Sequence, residues 1–348
     1  MILCVQYSIF NNMYDIVTIG SATRDVFIKT DSFIKIKKRD LKIEINISPN
    51  DVVGILPLGS KVEIDNIHFD IGGGATNAAV SFARKGFKVV SINALGNDFN
   101  GHYIKKALLK ENVNTLFQKI KDKFTGYSLI IVGNEGNRTV LVYRGASSNL
   151  NIDKIKWNLL KNAKWFYITS LDGNMDLLER IIKFCKYNNI KIAFNPGSQE
   201  LKHNILLMEF LKNVDILILN QEEAANLCEF SFDKTDDIIK KLANLTISNI
   251  FVMTKGRKGV VVSDGTNFYE AGIFKEREAV DRTGAGDAFG SGFLAGFLKK
   301  GIKEGIREGS ANSTSVLEYM GAKQGLLTLN ELKSERWKMN NLNIKKHF

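Results

Sequence analysis

Asp281-Arg282-Thr283-Gly284-Ala285-Gly286-Asp287-Ala288-Phe289, continued by Gly290-Ser291-Gly292-Phe293-Leu294-Ala295-Gly296-Phe297-Leu298, is the stretch on which the reading of the fold turns. Gly284 and Gly286 let the backbone bend and approach a ligand closely, and the small and apolar residues that follow recur at helical spacing. The pattern predicts a glycine loop opening a buried helix. Such a start presents unpaired N–H groups and a partial positive charge, which suit a phosphate. Asp287 falls in the first turn. Moving a phosphoryl group needs donors for the charge on its oxygens and a carboxylate for the acceptor's proton. Gly284, Ala285 and Gly286 are therefore candidate anion-hole residues and Asp287 a candidate base. A plain helix start, with Asp287 only favouring the helix dipole, uses the same residues.

The 348 residues suffice for one large α/β domain with an appendage. A hydrophobic content of 44% with 24% charged residues is ordinary for a globular chain, and no apolar run reaches the ~20 residues of a membrane span. The net charge of +11 is scattered. Only Lys35, Lys37, Lys38 and Arg39, and Lys345 with Lys346, cluster, without interleaved aromatics, so neither a nucleic-acid nor a membrane partner is expected. Cys4, Cys185 and Cys228 are too few for a disulfide framework, and four dispersed histidines make no zinc site. A reducing, cytoplasmic setting is expected. Residues 1–13 read as an N-terminal extension, with Met13 as the expected true start.

Residues 14–20, Y-D-I-V-T-I-G, read as a buried strand, after which a short loop delivers Asp25 to the carboxyl end of the sheet, where open α/β folds bind ligands. Residues 31–69 break the βαβ rhythm with short alternations at 42–47 and 61–64; with 118–120, 127–132 and 139–143 they read as a small added sheet. Ile71-Gly72-Gly73-Gly74-Ala75-Thr76-Asn77 then opens a helix that Gly86 ends. Its G-x-G-x-x-N nearly mimics a dinucleotide fingerprint, but the next strand ends Ile92-Asn93-Ala94 with no acidic residue, which weakens a dehydrogenase reading. Strands and helices alternate from residue 165 to residue 219, as a parallel sheet covered on both faces requires. No Walker-type G-x-x-x-x-G-K-[ST] loop occurs.

T-G-A-G-D-A-F at 283–289 and G-G-G-A-T-N-A-A-x-x-x-A-R-x-G at 72–86 together resemble the two signatures of the ribokinase-like, PfkB-type sugar and nucleoside kinases. The resemblance runs over about residues 14–327. It implies an α/β fold with a central, mostly parallel sheet, helices on both faces and a small β lid. The kinase domain would span 14–330, with lid segments at about 30–70 and 118–143, followed by a basic tail at 331–348. Asp25, Gly73, Gly74 and Asn77 would hold the acceptor, a small sugar or nucleoside. Asn220-Gln221-Glu222-Glu223 resembles the family's N-x-x-E motif, implying Mg²⁺ placed through water by Asn220 and Glu223, although a capping Asn with a dipole-stabilising Glu explains the same pattern. Thr254, Gly256 and Gly259 match the loop beside ATP, and Asn312 the adenine pocket. Asp281 matches a monovalent cation (K⁺) site, where Arg282 replaces a common threonine and has Asp281 as an alternative partner. Tyr143-Arg144 resembles the kinases of 2-keto-3-deoxygluconate; a lid-bracing salt bridge is the other use of Arg144. The lid implies a homodimer contact. The alternative from another class is a kinase-fold sensor without turnover.

Overall fold

The computed structural model describes residues 13–30, 34–37, 52–55, 59–132, 138–245 and 249–347. Its centre is a ten-stranded sheet. Seven strands run parallel, in the spatial order Asn114–Ile120, Val89–Gly96, Ile16–Ile19, Trp165–Ile168, Lys191–Phe194, Ile216–Asn220 and Ile250–Thr254. Val260–Ser263, Phe268–Ala271 and Ile344–His347 extend the sheet as antiparallel strands. Ile16–Ile19 is buried at every position, because helices cover both faces. Alternation then sends Val17, Ile19, Phe166 and Ile168 into one core and Ile16 and Tyr167 into the other. The helix Met175–Tyr187 shows how a covering helix is specified: Met175, Leu178, Ile181, Ile182 and Cys185 make one buried stripe, and Asn174 caps its start by accepting from the Leu177 N–H at 3.0 Å. Each such aliphatic side chain contributes about 1.5–3 kcal/mol by leaving water.

A second sheet of four strands orders as Asn66–Gly72, Thr23–Lys29, Gly126–Val132 and Arg138–Tyr143, and Ile34–Lys37 pairs with Val52–Ile55 in a separate ribbon. The four-stranded sheet has its own small core of Phe27, Ile130 and Val132, with Met320 packed beneath. Four sequence expectations change here. Asp25 lies within a strand, paired across from Asp70, rather than in a loop. Residues 118–120 belong to the edge of the main sheet, because seven residues in register with Val90 to Gly96 hold them there. The alternation at 61–64 forms no strand, and that at 42–47 lies outside the described residues, as do residues 1–12. The stretch after residue 330 is neither a helix nor a free tail: three short 3₁₀ turns bring Trp337 edge-on to Phe274, with ring centroids 5.3 Å apart, and Ile344–His347 becomes the tenth strand. Among the described residues no helix is long and apolar enough to cross a membrane.

Candidate active site

The helix Ala285–Lys300 begins at Gly284, whose φ of +75° admits a side chain poorly, and a Cβ there would stand 2.4 Å from the Cβ of Ala322. Residues 288–296 of this helix are all buried, so its first turn is held rigidly at the carboxyl ends of the parallel strands. Two chemically different groups of residues meet at that turn. One lines a cavity of about 340 Å³, with Asn220, Thr254, Gly256 and Gly259 on one side and Ala285 and Gly286 on the other. The second is a polar cluster in which Asn77 and Asp25, from the four-stranded sheet, approach Asp287.

Asn77, 4% exposed on the helix Gly74–Arg84, donates its side-chain N–H to Asp287 Oδ2 at 2.8 Å. Desolvation raises the Asp287 carboxyl above the usual range; Asn77 and Lys323 oppose the shift, and Asp25 adds to it. Asp25, 6% exposed, accepts from Thr23 Oγ1 at 2.8 Å and is also pushed up by burial. Gly72 opposite must lack a side chain, since its Cβ would fall 1.9 Å from Asp25 Oδ2. Of the residues expected at the acceptor, Asn77 therefore spends its amide within the protein, and the Gly74 N–H is taken by Ser21 Oγ at 3.2 Å. Gly73 caps the same helix with a φ of +95°.

Asn220 and Glu223 form a reciprocal capping box: Asn220 Oδ1 accepts from the Glu223 N–H at 2.9 Å, and Glu223 Oε2 from the Asn220 N–H at 2.8 Å. Burial raises the Glu223 carboxyl, and the charge of Asp287 raises it further. With Oε2 engaged by the Asn220 N–H, Glu223 keeps its other oxygen for a hydrated cation.

Three of the expected site residues have their polar groups engaged within the protein. Asn312 is fully buried and faces away from the cavity: it donates to Ala288 O at 2.7 Å and Ser81 Oγ at 3.1 Å and accepts from Leu327 N at 2.9 Å. Its neighbours Ser310, Ser313 and Thr314 line the cavity instead. Asp281 accepts several donors: Oδ1 takes Thr283 N at 3.0 Å and Oγ1 at 2.8 Å, Oδ2 takes Gly321 N at 3.0 Å, and Arg138 stands 3.7 Å away. Arg144 pairs with Asp172 at 2.8 Å, joining the four-stranded sheet to the main domain, so its guanidinium is spent on bracing. The loop carrying Asp172 is itself pinned by Glu200, which accepts from Leu171 N at 2.9 Å and Gly173 N at 2.7 Å. Asn195 donates to Ile218 O at 2.9 Å and serves the sheet.

Two residues take places that the sequence reading did not give them. Arg282 lines the 340 Å³ cavity rather than pairing with Asp281. Lys323, 6% exposed, donates its ammonium to Asn77 Oδ1 and to Ile71 O, and it faces Asp70, Asp25 and Asp287. The only signal for it was a lysine between two glycines in Gly321-Ala322-Lys323-Gln324-Gly325.

A helix start suited to a phosphate, with a carboxyl in its first turn, stands at the carboxyl ends of the parallel strands of an α/β fold. The family model for pfkB family carbohydrate kinases matches residues 15–329, and the chain belongs to that family. It is 28% identical over 239 residues to a ribokinase of Haemophilus influenzae, covering 67% of this chain and 76% of the relative. A cytidine kinase of Thermococcus kodakarensis is 29% identical over 226 residues, 64% of this chain and 78% of the relative. The structure of an Arabidopsis thaliana ribokinase complexed with ribose and ATP superposes with a TM-score of 0.74 at 19% identity, covering 93% of this chain and 100% of that one. The fold is thus ribokinase-like, and the family to which the chain belongs is one of carbohydrate kinases, which implies the use of ATP.

Proposed function

We propose that the protein transfers the terminal phosphoryl group of ATP to a hydroxyl of an uncharged sugar or nucleoside, with Asp287 taking the hydroxyl proton. The observation that carries this reading is the position of Asp287, in the first turn of a buried helix: the residues just before it line the 340 Å³ cavity while its carboxyl faces Asn77 and Asp25. The triphosphate would enter the cavity between Thr254, Gly256 and Gly259 and the turn of Gly284, Ala285 and Gly286. The turn's N–H groups receive the charge that develops on the phosphoryl oxygens, and Arg282 on the cavity wall adds a guanidinium suited to phosphate. In the transfer, the acceptor O–H gives its proton to Asp287, its oxygen forms the new bond to phosphorus, and the bond to the departing ADP breaks. Asp25 receives a second acceptor hydroxyl, and the N–H of Gly73 is a further donor toward it.

Asn220 and Glu223 would hold Mg²⁺ through water, since their capping box leaves little for direct ligation, and the ion when bound supplies charge neutralisation to the phosphates. Asp25, Asp70 and Asp287 around a single lysine make the acceptor side acidic, which favours a neutral polyol over a sugar acid. The exposed strand Arg138–Tyr143 supports a homodimer through the lid. Measuring ADP release over a panel of pentoses, hexoses and nucleosides tests the reaction. Asp287→Asn is expected to lower kcat by about 10²–10⁴-fold with ATP binding retained; near-normal turnover would sink the assignment, and ligand binding without turnover in the native protein would favour the sensor reading.

A further inference from the structure

Lys323 is the buried charged group closest to the proposed chemistry that the reaction, as described, does not use. Its place is built rather than incidental. The turn that carries it is tied down on both sides: the Gly321 N–H donates to Asp281 Oδ2 at 3.0 Å, and the Lys323 carbonyl accepts from Arg84 Nη1 at 2.8 Å. Arg84 is itself held by Glu111, at 2.6 Å. From this turn the ammonium reaches Asn77 Oδ1 and Ile71 O. An ammonium can only donate, so Asn77 must turn its oxygen to Lys323 and its NH₂ to Asp287, which it meets at Oδ2, 2.8 Å away. Among the described residues Oδ1 of Asp287 carries no hydrogen bond and is the oxygen left for an acceptor.

We propose that Lys323 is a positioning residue for phosphoryl transfer: from its buried turn it fixes the Asn77 amide so that Asp287 presents Oδ1 to the acceptor, and it places an ammonium facing that carboxyl. The inference rests on Asp287 being the base. The charge is needed because burial and the neighbouring carboxyls work against ionisation of Asp287, which only the Asn77 hydrogen bond otherwise favours. Burial raises its carboxyl, Asp25 faces it from the four-stranded sheet, Glu223 from the capping box, and the buried Tyr167 hydroxyl lies close by without a partner among the described residues. Lys323 in turn is surrounded by Asp70, Asp25 and Asp287, which favour its charge, while burial and Arg84 oppose it. A neutral side chain of the same length would leave the amide unoriented and the carboxyl without its cation.

The test compares the native protein with Lys323→Met by ¹³C NMR of aspartate carboxyls, the Asp287 resonance being identified by its loss in Asp287→Asn. The titration midpoint of Asp287 is expected to rise by about one pH unit. The acid limb of kcat should move up with it, and kcat at neutral pH should fall about 10-fold with the KM for ATP within about 2-fold. Lys323→Gln keeps a donor for Asn77 and removes the charge. It should show the same rise in midpoint with a smaller fall in kcat, and it carries the test if the methionine variant does not fold. A midpoint that stays in place in the folded variant overturns the inference. The titration needs no turnover, so a native protein that phosphorylates no acceptor defeats the reading of Asp287 as base while the charge coupling is judged separately.

Discussion

At Arg144 the residue type left two uses open, a clamp for an acidic acceptor and a brace for the lid, and a single contact separates them. The guanidinium meets Asp172 at 2.8 Å with 53% of its side chain exposed. A pair so open to solvent contributes about 0–1 kcal/mol, so Arg144→Ala should leave stability nearly unchanged, and turnover of neutral acceptors within about threefold. A selective loss with 2-keto-3-deoxygluconate in an acceptor panel would restore the clamp. Asn312 and Lys323 make the complementary point. Both are polar residues in sequence surroundings that say little, yet one closes a network with Ser81, Ala288 and Leu327 while the other reaches Asn77 across a separation of 246 positions. Nothing local announces which polar side chain faces a cavity, because that depends on the helix's rotation about its axis within the packed core.

The glycine-loop helix is where local sequence and tertiary packing agree most closely. Gly284 and Gly286 with the apolar run after them are enough to predict the turn and the buried helix, because both follow from backbone freedom and a 3.6-residue period. What they do not show is that Ala322 lies against Gly284 and that the same turn anchors Asp281 through Gly321. Gly284→Ala therefore combines a left-handed backbone with a methyl 2.4 Å from another methyl. A stability loss of about 2–3 kcal/mol is expected, read as a lower melting temperature, with kcat falling more than the KM for the acceptor. A variant that melts and turns over like the native protein would show that the turn is not held by this contact. The edge strand at residues 114–120 is the opposite case. Its alternating N-T-L-F-Q-K-I pattern suits either sheet, and only the pairing with Val89–Gly96 decides between them.

The whole molecule is a ten-stranded sheet with a four-stranded one beside it, and among the described residues no strand pairs with the far edge of the smaller sheet. Every residue of Arg138–Tyr143 is exposed, including Leu141 at 54% and Val142 at 56%. Such an edge with apolar side chains invites a second copy. Leu141→Lys is expected to shift the protein from dimer to monomer in sedimentation velocity, with the fold unchanged by circular dichroism. A native protein that sediments as a monomer at tens of micromolar would remove the lid as a dimer surface. The last strand belongs to this scale too. Ile344–His347 covers the open edge of Phe268–Ala271, so a stretch that composition alone marks as a basic tail is a structural strand.

By itself the sequence determined the alternation of parallel strands and covering helices, the two glycine signatures and the carboxyl in the first turn of the second. These are local patterns, written by periodicity and by residues that the backbone geometry demands. Only the tertiary structure decided which side chains converge. Asp25, Asp70, Asn77, Asp287 and Lys323 come from four separate parts of the chain and meet because the sheet gathers its strand ends at one rim. Tertiary packing also decided which polar groups were already spent, as Asp281, Asn312 and Arg144 are. A buried polar group takes whatever donor or acceptor the fold brings near it, because leaving it unpaired costs about 1–3 kcal/mol, and that partner is not encoded in its neighbours along the chain.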